Sequence, residues 1–220
     1  MNINIMSLLH IPNDSRDIMS TSNQFKPICT QNDMRLGKNL EMKLFTLEYK
    51  YTNPNFNIVS LINVNLHKLL HEVNKDIIDI IEIQPHPTDS TEHFILYRFK
   101  DIGGDLGGFK TYMYVNTKIS KRYAANGTTE IIFTSKSVPY EGHPTLVQQK
   151  YKLLEYPLYI QKYIFNDVES PQVTTIQVLH MFKLKPDNET ELTVAMENAI
   201  GILIKKMYYR LKVAIESLRA

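Results

Sequence analysis

The sequence predicts an α+β protein in which a curved antiparallel sheet wraps around a long C-terminal helix. Three observations carry that prediction. Segments of alternating apolar and polar residues succeed one another from 41 to 185, with one helical segment among them. An Asn126-Gly127 dipeptide, the strongest short-range hairpin signal, joins two of these segments. From 188 to 219, apolar residues recur every three or four positions without a proline.

Composition sets the outer bounds. At 220 residues and 43% hydrophobic content, the chain is long enough to bury a sizeable core as one domain. Its 25 basic and 23 acidic residues leave a formal charge of +2, too small to attract nucleic acid by bulk electrostatics, and no nucleic-acid partner is expected. The one cysteine, Cys29, has no second thiol to pair with, which favours a reducing, cytoplasmic setting. The opening MNINIMSLLH lacks the basic flank of a signal peptide, and no stretch approaches 18 consecutive apolar residues. Neither secretion nor a membrane span is expected, so the sequons at Asn126 and Asn188 read as turn and cap residues. Six alanines set among many Asn, Ile and Lys resemble the output of an AT-rich genome, such as that of a protist or a large DNA virus.

Residues 1–40 are polar and punctuated by Pro12, Pro27 and Gly37, and they read as a partly disordered N-terminal arm ahead of a domain at 41–220. EMKLFTLEYKY, 41–51, places Phe45, Leu47, Tyr49 and Tyr51 on one side of a strand. Ile58, Ile62, Leu66, Leu69 and Val73 then fit one face of a helix, with Asn55 or Asn57 as its N-cap. DIIDIIEI (76–83) and EHFILYRFK (92–100) are β-rich, and the prolines of QPHPTDST separate them. After DIGGDLGG come strands from 109 and from Thr129 on either side of the Asn126-Gly127 turn. Residues 148–167 suit either a strand or a helical stripe around Pro157, and an interrupted strand is the preferred reading. In 172–185, Ile176, Val178, His180, Phe182 and Leu184 alternate. The last helix begins at a capping box, Asn188 with Glu191, and carries Leu192, Met196, Ala199, Leu203, Met207, Leu211, Ala214 and Leu218 as its apolar stripe.

This order of strand, helix, about six strands and long terminal helix resembles the helix-grip fold of the START-like and Bet v 1-like superfamily, over roughly 41–219. The resemblance implies a cavity between sheet and helix that holds a lipid, a sterol or another hydrophobic molecule; some members of that superfamily are cyclases or hydrolases. It also implies a glycine-rich loop beside the cavity mouth, to which Gly103, Gly104, Gly107 and Gly108 are similar in composition, one hairpin later. The residues expected to line the site are Tyr97, Phe99, Ile176, Val178, His180, Phe182, Met196, Leu203 and Met207. Flexible thioethers such as Met196 and Met207 adapt to varied apolar shapes.

Candidate chemistry outside that reading is weak. Gly103 and Gly108 are followed by Phe109, with Lys110 one place late for a P-loop, so the four glycines read as a mobile hairpin or a gate. His67 and His71 are one helical turn apart but appear on the solvent side without further ligands, and no metal or cofactor is expected. Arg98 and Glu130 read as a cross-strand pair. His180 faces the apolar side as a satisfied core histidine or, less plainly, a general base, so no catalytic residue is assigned. The alternative function is a non-enzymatic structural or protein-interaction component, viral or protist, with a filled core and a partner reached through residues 1–40. The basic end of the last helix also suits peripheral contact with lipid headgroups.

Overall fold

The computed structural model describes residues 25–100, 111–124, 127–139, 151–166, 172–185 and 194–219. Among them are ten strands and two α-helices in the order β1 (Lys26–Gln31), β2 (Met34–Asn39), β3 (Leu44–Thr52), a 3-10 turn (Ile58–Leu61), α1 (Leu66–Glu72), β4 (Ile78–Pro85), β5 (Glu92–Phe99), β6 (Thr111–Tyr123), β7 (Thr128–Ser137), β8 (Lys152–Leu153), β9 (Glu155–Asn166), β10 (Thr175–Lys185) and α2 (Val194–Ser217). One curved sheet runs β1-β2-β3-β10-β9-β7-β6-β5-β4, antiparallel at every step, while β8 adds a short parallel pairing to β6.

Period-two spacing decides which face is buried. Phe45, Leu47, Tyr49 and Tyr51 of β3 and the even-numbered apolar set of β10 lie on the same inner face, with His180 opposite Leu47 on one side and Gln161 on the other. The inner face continues through Tyr163 and Phe165, Ile131 and Phe133, Met113 and Val115, and Ile95, Tyr97 and Phe99. At the β6–β7 turn the Ala124 N–H donates to the Thr128 carbonyl at 2.8 Å and Gly127 adopts φ 77°, a conformation glycine takes without strain. Asn126 lies outside the described residues. The segment around Pro157 is a strand interrupted between β8 and β9, as its alternation favours.

α2 lies across the inner face. Gly201 makes this close approach possible: a Cβ there would stand 3.0 Å from Phe45 Cε1. Its C-terminal carbonyls are held from the sheet side, where the Asn53 amide donates to Ile215 O at 2.8 Å and to Leu218 O at 2.9 Å. Asn74 donates to Met207 O at 3.2 Å, and Arg210 pairs with Asp76.

Five sequence expectations are corrected. Residues 26–39, assigned to the arm, form the first hairpin of the sheet, because Asn32 and Asp33 take the paired positive φ (57° and 56°) of a type I′ turn and Met34 and Leu36 are fully buried. The helix expected over 58–73 is a 3-10 turn and a separate seven-residue α1, and the Asn57 side chain makes no capping bond. That break resets the helical face, so His67 is buried with Leu66 and Leu70 instead of facing solvent. The buried stripe of α2 runs through Glu197, Gly201, Ile204, Lys205, Met207, Tyr208, Leu211 and Ile215, about one residue round from the expected one. The run Ile200-Gly201-Ile202-Leu203-Ile204 is apolar on several sides, so spacing alone does not fix its rotation. Arg98 bonds Asp79 at 2.7 Å and Glu130 bonds Lys162 at 2.6 Å, because β6 separates β5 from β7. The capping box at Asn188 and Glu191, and Leu192, lie outside the described residues, as do Gly103, Gly104, Gly107 and Gly108.

Candidate functional site

A connected row of polar side chains crosses the largely apolar seam between the sheet and α2. Tyr49 and Tyr51 come from β3, His180 from β10, Tyr159, Gln161 and Tyr163 from β9 and Tyr208 from α2. Tyr49 Oη lies 3.1 Å from Tyr51 Oη and 3.0 Å from His180 Nε2. The other imidazole nitrogen, Nδ1, is 3.1 Å from Tyr159 Oη, which donates to Tyr208 Oη at 2.9 Å. Gln161 Nε2 donates to the same Tyr208 oxygen at 2.7 Å, and Tyr163 donates to Gln161 Oε1 at 3.2 Å. The His180 ring packs against Tyr208 with centroids 4.2 Å apart.

Burial governs the charge state of the row. His180 is fully buried, and desolvation lowers its pKa to about 3, so the imidazole is neutral near pH 7. Desolvation likewise raises the Tyr49, Tyr51 and Tyr163 phenols, and pushes Tyr208 up to about 12, so every hydroxyl keeps its proton. Both ring nitrogens of His180 are engaged by phenols, which makes it a satisfied core histidine.

A second polar group stands further along the inner face. His67 is 4% exposed, its Nδ1 is 2.6 Å from Tyr97 Oη, and its ring sits beside Phe133 at 5.8 Å. Desolvation, with a smaller contribution from nearby His93, lowers its pKa to about 4. Its Nε2 is buried and has no hydrogen-bond partner among the described residues. His71 bonds the Asp79 carbonyl at 3.2 Å instead of joining His67.

The residues named from the sequence are brought together unevenly. Tyr97, Phe99, Ile176, Val178, Phe182 and Met207 are buried in one core cluster, with Leu203 packed against it, and His180 lies fully buried on the same face. Met196 is half-buried toward the start of α2. His67, Tyr49, Tyr51, Tyr159, Gln161, Tyr163 and Tyr208 escaped the sequence reading as site residues. For Gln161 the signal was present: a polar residue on the apolar side of an alternating strand. For His67 it was hidden by the assumption of one continuous helix.

Solved structures share the fold. The human StAR-related lipid transfer protein 5 superposes with a TM-score of 0.53 at 11% identity, covering 91% of this chain and 90% of that one. A STAR-related lipid transfer protein from Xanthomonas axonopodis gives 0.59 at 9% identity, over 88% and 99%. No protein-family model matches the sequence, and no curated protein matches it. The protein is an α+β chain whose curved antiparallel sheet is closed by its terminal helix. Its fold is the helix-grip fold, which it shares with these two lipid transfer structures.

Proposed function

We propose that the protein binds a hydrophobic small molecule, lipid- or sterol-like, between the inner face of the sheet and α2. The observation that carries this reading is His67 Nε2, a buried polar atom without a partner among the described residues in a largely apolar wall. Leaving such a group unsatisfied costs about 1–3 kcal/mol, and a ligand atom that met it would recover that energy. Interiors with mostly apolar walls and a few convergent polar groups are the usual form of small-molecule sites. The solved structures that share the fold are named as lipid transfer proteins, which supports the same class of ligand.

Tyr97, Phe99, Ile176, Val178, His180, Phe182, Met196, Leu203 and Met207 are the proposed lining. The test is organic extraction of the purified protein followed by mass spectrometry, together with displacement of a fluorescent sterol and a fluorescent fatty acid. A co-purifying apolar molecule, or displacement by either class, is the expected result. An empty extract and no probe binding favour the filled-core interaction protein instead.

A further inference from the structure

Among the described residues, three hydrogen-bonded groups on the inner face hold more hydrogens than the bonds between them use. In the α2 seam the direction of each bond follows from the one before it. Tyr159 donates to Tyr208, and a phenol has one hydrogen, so Tyr159 accepts from His180 and the imidazole hydrogen sits on Nδ1. His180 Nε2 is then an acceptor for Tyr49, and Tyr49 an acceptor for Tyr51. Gln161 donates to Tyr208 and accepts from Tyr163. Tyr208 therefore receives two hydrogen bonds and gives none among the described residues. Turning the Gln161 amide end for end moves the unspent hydrogen to Tyr163 without removing it.

The same count recurs twice on the inner face. His67 and Tyr97 hold two hydrogens and share one bond. Thr117 and Ser135, both buried, have two hydroxyl hydrogens and one bond, 2.8 Å between oxygens. Each group is left with at least one donor to spare among the described residues, and the seam also keeps the second Gln161 amide hydrogen. The nearby buried cations are already engaged, since Lys38 pairs with Glu197 and Lys205 reaches Cys29 Sγ at 3.5 Å. A carboxylate in the seam would lose its hydration against neutral donors alone, which is unfavourable.

We propose that the polar end of the ligand is an uncharged hydrogen-bond acceptor, a ketone or ester carbonyl oxygen, seated against Tyr208. This rests on the reading that the interior binds an apolar molecule, and the experiment separates the two. The full chain is titrated with the uncharged fluorescent probe N-phenyl-1-naphthylamine, which is then displaced by hexadecan-2-one, hexadecane or hexadecanoate. The ketone should displace the probe at about tenfold lower concentration than the alkane or the carboxylate, the worth of one good hydrogen bond. Tyr208→Phe should remove that advantage, so that ketone and hexadecane displace the probe at similar concentrations, with Tyr163→Phe as the companion variant for the turned amide. In the unaltered protein, the infrared carbonyl stretch of bound ketone should fall below its value in alkane solvent. Probe binding with a ketone no better than hexadecane, or with hexadecanoate strongest, overturns the carbonyl assignment alone. A protein that binds no probe and no ketone overturns the binding reading and the assignment together.

Discussion

Lys38 and Glu197 form an ion pair with both side chains almost wholly buried, joining β2 to the start of α2, and Lys38 also lies over the Phe45 ring at 4.8 Å. Two charges so far from water repay their desolvation only through each other. Removing one leaves the other buried and unpaired, whereas replacing both by apolar residues removes both penalties. Lys38→Met is therefore expected to lower stability by about 3–5 kcal/mol. The double variant Lys38→Met, Glu197→Leu should recover most of that loss. Urea unfolding of the four proteins of the cycle measures it, and equal losses in single and double variants would mean that packing around Phe45, not charge, is what the pair contributes.

At the scale of elements, the first hairpin matters most. Met34 and Leu36 are fully buried, β2 pairs with β3 through five registered residues from Arg35 to Asn39, and Lys38 is anchored as above. A chain beginning at residue 41 loses two strands and leaves Glu197 without its cation. It should melt far below the full chain or fail to stay soluble, and Met34→Ala alone should cost about 2–5 kcal/mol. A thermal melt unchanged by deletion of residues 1–40 would show that the hairpin is an appendage. The same elements explain what the sequence can and cannot reveal. β3 and β10 are legible because every second residue is apolar over a full strand. The hairpin is not: MRLGKN is buried at three polar or small positions as well as at Met34 and Leu36, and its Asn32-Asp33 turn lacks the glycine that signals a hairpin most strongly. α2 is legible as a helix but not in rotation, since Gly201 sets its approach and Glu197 and Lys205 are buried by pairing that no periodicity encodes. The site followed the same division, with His180 and Phe182 readable from alternation and Tyr208 only from the helix's true rotation.

For the whole molecule, the two buried histidines tie stability to pH. His180 and His67 have pKa values lowered to about 3 and about 4 by desolvation, against about 6.5 in an unfolded chain. The unfolded state therefore takes up protons below about pH 6.5 that the folded state refuses. Their contribution is fully present above that pH and is lost as pH falls, by up to about 1.4 kcal/mol per pH unit for each histidine. Both act down to about pH 4, below which only His180 continues. Asp89, Glu72, Asp76 and Glu92 are also held low by hydrogen bonds and nearby cations, but their losses begin only near the ordinary carboxylate range, so the histidine loss comes first. Urea midpoints measured from about pH 7.5 to about pH 4.5 should fall steadily. His180→Gln, which keeps a polar group between Tyr49 and Tyr159, should flatten that slope by one histidine's share. A midpoint constant across the window would mean that the imidazoles reach water in the folded state. In that case Tyr208 and its unspent hydrogen would be hydrated too, and the seam would have no need of a ligand's carbonyl.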